Sequence, residues 1–91
     1  MADKVRCAHI LVKSEDAAKA LLARINSGES FSKLAKDMSK CSSGKKGGDL
    51  GTFGRGQMVR EFEFVAFKLD KGKVSGIVKT QFGYHIIKRL E

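Results

Sequence analysis

The chain is organised around one glycine-rich stretch, Gly44-Lys45-Lys46-Gly47-Gly48-Asp49-Leu50-Gly51-Thr52-Phe53-Gly54-Arg55-Gly56-Gln57-Met58-Val59-Arg60-Glu61-Phe62. Six of the ten glycines lie in it, beside large apolar residues. Because glycine turns tightly and accepts positive φ, this composition is typical of a shaped loop that presents apolar side chains. We expect a pocket wall, although Leu50, Met58 and Phe62 could also be plain core residues. Residues 44–48 are predicted to be a mobile basic rim.

Length and composition limit the possible classes. With 91 residues, 42% hydrophobic and 31% charged, the chain is expected to fold as one domain, residues 1–91, around a modest core. The net charge of +8 favours anionic partners. No apolar run approaches the ~18 residues of a membrane span, and no signal peptide is recognisable, so we expect a cytoplasmic protein. Cys7 and Cys41 are expected to be free thiols.

Before the glycine-rich stretch, the pattern predicts one strand and two helices. Val5–Val12 is a strand buried on most of both faces, with Val5, Cys7, His9 and Leu11 on one of them. Ser14 can cap a helix that ends at Gly28. Ser30 can cap a second helix, whose apolar face follows the i, i+3, i+4, i+7 spacing of Phe31, Leu34, Ala35 and Met38.

Within and after the stretch, the pattern predicts a short strand, a helix and a hairpin. Residues 49–53 can form the strand, and residues 59–69 a third helix with acidic residues in its first turn. Residues 74–80 and 84–90 are β-rich and joined by a short glycine turn, which is typical of a hairpin. The predicted class is α+β, with a small, largely antiparallel sheet.

Two histidines and two cysteines are the candidates for reactive chemistry. His9 and His85 lie mid-strand among apolar residues, where a lone histidine is usually a satisfied core residue, although two of them favour a functional role. Together with Cys7 and Cys41 they lack the paired spacing of a structural zinc site, so we expect no metal. A Cys41 thiolate nucleophile remains an alternative. The glycine spacing fits neither the phosphate-binding nor the dinucleotide-binding motif.

Lysines are concentrated on the second helix and the start of the glycine-rich stretch. They can form a solvated helix face or a docking patch for anionic phospholipid headgroups, with weak nucleic-acid binding as a further option. The five residues of this lysine patch are Lys33, Lys36, Lys40, Lys45 and Lys46.

Five motifs, in order, resemble the parvulin-type peptidyl-prolyl isomerases. They cover nearly the whole chain: His9-Ile10-Leu11-Val12-Lys13, Phe31-Ser32-Lys33-Leu34-Ala35, Gly47-Gly48-Asp49-Leu50-Gly51, Gly56-Gln57-Met58-Val59 and Phe82-Gly83-Tyr84-His85-Ile86-Ile87. The resemblance implies the parvulin (FKBP-like) fold, a four-stranded antiparallel sheet surrounded by helices in the order β-α-α-(short α)-β-α-β-β. It also implies that the two histidines lie side by side on central strands.

The resemblance further implies site residues and an activity. Leu50, Met58 and Phe62 are similar to the family's proline-ring pocket, which Phe82 would help to close. A polar network beneath the substrate imide would consist of His9, Cys41, Thr80 and His85. The implied function is non-covalent, cofactor-free cis–trans isomerisation of X–Pro bonds in exposed polypeptide segments. We expect the protein to be a monomer. The alternative is a non-catalytic peptide-binding or chaperone module docked to anionic surfaces through the lysine patch.

One departure from the family pattern bears on the substrate. Phosphate-directed relatives insert a loop with paired arginines between the first strand and helix, whereas this chain passes directly through Lys13-Ser14-Glu15-Asp16. Two carboxylates at that place disfavour a phosphate group. We therefore predict no requirement for phosphoserine or phosphothreonine before proline.

Overall fold

The computed structural model describes residues 3–91, and within them the predicted element order is confirmed. The elements are β1 (Lys4–Val12), α1 (Glu15–Asn26), α2 (Phe31–Met38), a 3-10 helix (Ser42–Lys46), β2 (Asp49–Gly54), α3 (Arg60–Lys68), β3 (Val74–Thr80) and β4 (Gly83–Arg89). No helix in this range is long and apolar enough to cross a membrane.

The strands form one antiparallel sheet in the order β2-β1-β4-β3, so β1 and β4 are central. This central pair brings together residues from the two ends of the chain: Leu11 lies opposite His85, and His9 lies opposite Ile87. The helices cover both faces, which agrees with the predicted α+β class.

Serine side chains start the first two helices, as their position in the sequence predicts. Ser14 Oγ accepts a hydrogen bond from the Ala17 backbone N–H at 3.0 Å. Ser30 Oγ accepts one from the Lys33 N–H at 3.2 Å. Each cap satisfies one of the N–H groups that a helix start leaves without a partner.

The alternation of side chains on the central strands produces two different faces. The α1–α2 face carries Ile10, Val12 and Ile86 against the helices α1 and α2, and this cluster is buried. The α3 face carries Val5, Cys7 and Ile87 against Phe53 and α3. Because successive strand residues point to opposite sides, one strand supplies both faces.

The segment of residues 44–48 differs from the expectation of a mobile rim. Gly44, Gly47 and Gly48 are buried; Gly44 lies within the 3-10 helix, and Gly47 and Gly48 follow it. His9 N–H donates to the Gly48 carbonyl at 2.9 Å, and a Cβ on Gly48, whose φ is 87°, would lie 2.4 Å from the His9 carbonyl oxygen. Only glycine permits this close approach of two backbones. The segment is therefore an ordered support for β1, and the mobile-rim prediction is wrong.

Candidate active site

A cavity of about 410 Å³ opens on the α3 face. Its lining comes from four elements, β1, β2, α3 and β4, and from the loops between elements, and none of the ten lining side chains is a carboxylate, a lysine or an arginine. The lining residues are His9, Leu11, Cys41, Leu50, Gln57, Met58, Val59, Phe62, Phe82 and His85. Seven of the eight residues predicted for the polar network and the proline pocket line it, and the eighth, Thr80, lies directly behind His85.

The two histidines form the floor of the cavity. Their rings stack at 18° with centroids 5.1 Å apart, and their Nδ1 atoms share a hydrogen bond of 2.9 Å. Both side chains are buried. They are diagonal neighbours on β1 and β4, which is the cross-strand position that lets ring side chains meet. The register of β1 with β4 thus brings together two residues that are 76 positions apart in the sequence.

Apolar side chains form the walls. Phe62 is 3% exposed and meets both imidazole rings edge-on, with centroids 5.4 Å away and an interplanar angle of 81°. Leu50 and Met58 are half-buried and pack against the same cluster. Phe82 is 50% exposed at the mouth. A cavity of this size with one open side suits a proline ring and its flanking peptide.

Thr80 connects the histidine pair to the hairpin turn. Its Oγ1 lies 2.6 Å from His85 Nε2 and accepts a hydrogen bond from the Phe82 N–H at 3.1 Å. Two neutral rings that share an Nδ1–Nδ1 hydrogen bond have one Nδ1 protonated and the other bare. The tautomers of His9 and His85 are therefore coupled to each other and to the direction of the Thr80 hydroxyl. His9 Nε2 is the one buried side-chain nitrogen or oxygen of residues 3–91 without a hydrogen-bond partner.

The surroundings keep both imidazoles neutral. Burial, and then the neighbouring His85, lower the pKa of His9 from 6.5 to about 4. Burial and Lys13 lower the pKa of His85. Desolvation disfavours a charged ring, and a like charge nearby adds to this effect. Near neutral pH the floor of the cavity therefore holds hydrogen-bonding groups without a charge.

Cys41 lies at the edge of the cavity in a fixed position. Its backbone N–H donates to Ser39 Oγ at 3.3 Å, and the same oxygen accepts from the Leu11 N–H at 3.1 Å. Ser43 Oγ donates to the Cys41 sulfur at 3.2 Å. These contacts tie the residues after α2 to β1 and present the thiol as a polar group on the rim of the cavity, beside its apolar walls. The other thiol, Cys7, is buried, which raises its pKa to about 11.

The comparison with protein families decides the relationship. The model described as "Rotamase: PPIC-type PPIASE domain" matches residues 9–91, which is most of the chain. The chain belongs to this family. The resemblance to the parvulins is thereby confirmed, together with the four-stranded antiparallel sheet and its surrounding helices.

Individual relatives include longer proteins and small ones. The foldase protein PrsA of Geobacillus kaustophilus is 57% identical over 86 residues, which are 93% of this chain and 31% of the relative. The crystal structure of PrsA from Bacillus subtilis superposes with a TM-score of 0.95 at 50% identity, covering 98% of this chain and 35% of that one. The chain thus spans about a third of the length of the curated relatives it matches.

A relative of similar size is the parvulin NmPin of Nitrosopumilus maritimus. Its solution structure superposes with a TM-score of 0.88 at 50% identity, and the match covers 100% of this chain and 99% of that chain. That solved chain is therefore nearly the same length as this one.

Three lining residues were missed by the sequence reasoning: Leu11, Gln57 and Val59. Leu11 shares the strand face of His9, so the alternation of side chains along β1 already indicated that Leu11 lies on the same side of the sheet as His9. Gln57 and Val59 flank Met58 on an irregular loop, where no periodicity indicates which side chains point inward. The site also has no cluster of three or more His, Cys, Asp or Glu side chains that could hold a metal ion, and residues 3–91 contain none elsewhere.

The lysine patch lies on α2, on the connection that follows it and on the 3-10 helix, and none of its residues lines the cavity. A Cβ on Gly44 would meet the Ala35 carbonyl and one on Gly47 would meet Ser32, so the 3-10 helix runs antiparallel along α2. All five side chains of the patch are exposed. Among the ion pairs within residues 3–91, none involves these lysines.

Proposed function

We propose that the chain catalyses cis–trans isomerisation of X–Pro bonds in exposed segments of proline-containing polypeptides. The observation that carries the proposal is a cavity with apolar walls, formed by Met58 and Phe62, above a floor of two uncharged, mutually hydrogen-bonded histidines. The family of the domain supports the same activity. The names of the relatives called foldase protein PrsA are consistent with polypeptide substrates.

The chemistry of the reaction suits such a site. Rotation about an X–Pro bond has a barrier of ~20 kcal/mol because the planar amide is stabilised by resonance. In the twisted transition state this resonance is lost and the imide carbonyl becomes less polar. A dry apolar pocket that holds the proline ring while the preceding peptide turns therefore favours the transition state over the planar ground state. No covalent bond needs to form or break.

The polar residues position the substrate. The neutral His9–His85 pair and Thr80 fix the floor through one chain of hydrogen bonds. The Cys41 thiol faces the cavity as a polar contact for the peptide near its carbonyl. In this mechanism the thiol forms no covalent intermediate, in contrast to a nucleophilic cysteine, which needs a base within hydrogen-bonding reach. Its hydrogen-bonding partner is the Ser43 hydroxyl, which donates to the sulfur and takes no proton from it.

The test is the exchange rate between the cis and trans forms of a short X–Pro peptide, measured by NMR exchange spectroscopy with and without the protein. Met58→Ala is expected to reduce the acceleration strongly because it removes one wall of the pocket. Met38→Ala is the matched control: Met38 is also half-buried but packs on the α1–α2 face. Absence of acceleration by the wild type would remove the proposal. In that case the remaining candidate is a non-catalytic peptide-binding or chaperone module that uses the same groove.

We further propose that the substrate needs no phosphate before proline. β1 ends at Val12 and α1 begins at Glu15, so the connection has only two residues and the first turn of the helix carries Glu15 and Asp16. Peptides with Ala-Pro, Glu-Pro and phosphoserine-Pro are to be compared under equal conditions. A kcat/KM for the phosphopeptide more than tenfold above that of the Ala-Pro peptide would contradict the proposal.

We also propose that the lysine patch docks the domain on a membrane surface rich in anionic phospholipid, which would give a cytoplasmic protein a peripheral location. Five exposed lysines that form no ion pair within residues 3–91 support it, because each lysine near an anionic surface adds ~1 kcal/mol of attraction. Co-sedimentation with phosphatidylserine vesicles at low salt is the measurement. Replacement of the five lysines by glutamine is expected to abolish it.

A control variant separates the patch from net charge alone. It replaces five exposed lysines outside the patch by glutamine: Lys4, Lys19, Lys68, Lys71 and Lys73. Both variants have the same formal charge, so equal loss of vesicle binding in the two would show unspecific attraction. Binding of the wild type to DNA but not to vesicles would replace the phospholipid with nucleic acid as the partner. A monomeric state of the single domain remains a prediction, and sedimentation velocity tests it.

A further inference from the structure

Strand β3 contains one residue more than its partner β4 at residues 75 and 76, five to six residues before the hairpin turn begins at Gln81. Val74 lies opposite Lys88, but the next pair is Ile77 with Ile86. Three steps on β3 thus match two steps on β4, which defines a β-bulge at residues 75 and 76. After the bulge the pairing continues as Val78 with His85 and Thr80 with Gly83.

The extra residue decides which face of the sheet Thr80 occupies. Because side chains alternate, Thr80 lies on the same face as Val78, and Val78 is directly opposite His85. If the register of Val74 with Lys88 continued without the bulge, Ile77 would lie opposite His85. Thr80 would then point to the other face of the sheet, since a slip of one residue reverses every side chain. The hydrogen bond of 2.6 Å between Thr80 Oγ1 and His85 Nε2 therefore depends on the bulge.

A bulge leaves backbone groups without their hydrogen-bond partners on the neighbouring strand. The Ser75 hydroxyl acts as the partner of two backbone groups here. Its Oγ accepts a hydrogen bond from the Ile87 N–H at 2.9 Å and donates one to the Gly76 carbonyl at 2.7 Å. The residue is 7% exposed, so water has little access to replace the hydroxyl. An unpaired N–H in this buried place is unfavourable, and the strands would gain by adopting a different local register or geometry.

We propose that Ser75 is a positioning residue for the histidine pair. By closing the bulge in β3 it holds Thr80 against His85, and through their hydrogen bond it determines the tautomers of His85 and His9. Its contribution to catalysis rests on the proposed isomerase activity, whereas its effect on the imidazole rings does not.

The first measurement therefore needs no substrate. Two-bond ¹H–¹⁵N correlation spectra of the imidazole rings report which nitrogens carry protons and which accept hydrogen bonds. In Ser75→Ala we expect changed ¹⁵N shifts for His85 Nε2 and for both Nδ1 atoms, together with faster hydrogen exchange of the Ile87 amide. Ser75→Thr retains the hydroxyl and is expected to restore the wild-type spectrum. A folded Ser75→Ala protein with wild-type ring signals would overturn the proposal.

The second measurement is kcat/KM for an X–Pro peptide. Ser75→Ala is expected to lower it by about 10- to 100-fold, mainly through kcat, because a misplaced supporting group affects the turning peptide more than its binding. Gly76→Ala is the matched control: an added Cβ there meets no atom within 4 Å, and both hydrogen bonds of Ser75 remain. It is expected to retain wild-type activity, and an equal loss in both variants would contradict the role of the hydroxyl.

Ser75→Cys covers the case in which Ser75→Ala does not fold. It keeps nearly the same volume but makes much weaker hydrogen bonds. The same change in ring signals is expected, and its absence would count against the proposal. If the wild type itself accelerates no exchange, the isomerase proposal fails, and the ring spectra still decide whether Ser75 positions the pair.

Discussion

The two faces of the sheet are built from the same strands but differ in what they bury. On the α1–α2 face, residues such as Ile10, Leu21 and Ile86 are fully buried in a closed apolar cluster. On the α3 face, His9 and His85 are buried beside a cavity of about 410 Å³ that opens to solvent. Alternation along β1 and β4 places these contrasting sets back to back.

The difference shows how a chain of 91 residues can maintain an active site. A void and an unpaired polar atom such as His9 Nε2 both reduce stability. The closed face compensates for this cost with well-packed apolar contacts. A change on the closed face should therefore act mainly on stability, and a change on the open face mainly on catalysis. The four predictions below test this separation, beginning with the largest expected effect.

Leu21→Ala is expected to lower the free energy of unfolding by about 2–5 kcal/mol, because it leaves a cavity in the closed cluster. Urea unfolding followed by circular dichroism measures this change. The folded fraction should retain the kcat of the wild type. A large loss of kcat in fully folded Leu21→Ala would mean that the two faces are not separate.

Acid is expected to lower the free energy of unfolding of the protein through the histidines of the open face. The pKa of His9 is lowered to about 4 in the native state against 6.5 for an unperturbed ring, so between these values the unfolded chain binds more protons than the native one. Stability therefore rises with pH from about 4 to 6.5 and is complete above that range, and the shift corresponds to about 3 kcal/mol. Urea unfolding at a series of pH values measures it.

His9→Asn is the control for this pH dependence, because it removes the titrating ring and should flatten the curve between pH 5 and 6.5. The lowered pKa of His85 leaves a residual slope of the same sign. A wild-type stability that is constant over this interval would show that the buried histidines are not held neutral.

Met58→Ala is expected to reduce kcat/KM for an X–Pro peptide by about tenfold, equivalent to about 1.4 kcal/mol. Its cost in stability should be smaller than that of Leu21→Ala, because Met58 is only half-buried and lies at an open cavity. NMR exchange spectroscopy and urea unfolding measure the two quantities. The opposite ranking, with stability lost and catalysis kept, would assign Met58 to the core instead of the pocket.

Ser30→Ala is expected to have the smallest effect, a loss of ~1 kcal/mol of stability, because it removes the cap of α2. The helix packs on the closed face, so catalysis should be unchanged. Ser30→Asp retains a capping oxygen and should restore the stability. An alanine variant as stable as the wild type would show that the cap contributes nothing here.

Local rules accounted for much of what was predicted. Three features depend on only a few neighbouring residues, so the sequence predicts them directly. They are the caps formed by Ser14 and Ser30, the apolar period of α2, and the alternation that separates His85 from Ile86. The pairing of His9 with His85, in contrast, was implied by the resemblance to parvulins and not by any local pattern. Residues 44–48 were misjudged because glycines were interpreted as flexible. Here they allow close packing on β1.

The sequence by itself determined the elements, their two-faced character and the family, because caps, periodicity and ordered motifs are local or cumulative properties of the chain. Only the tertiary structure decided the Nδ1 contact between His9 and His85, the contribution of Gln57 and Val59 to the cavity lining, and the bulge that brings Thr80 to His85. The physical reason is that strand register couples residues far apart along the chain. A shift of one position costs little locally but moves each side chain to the opposite face of the sheet.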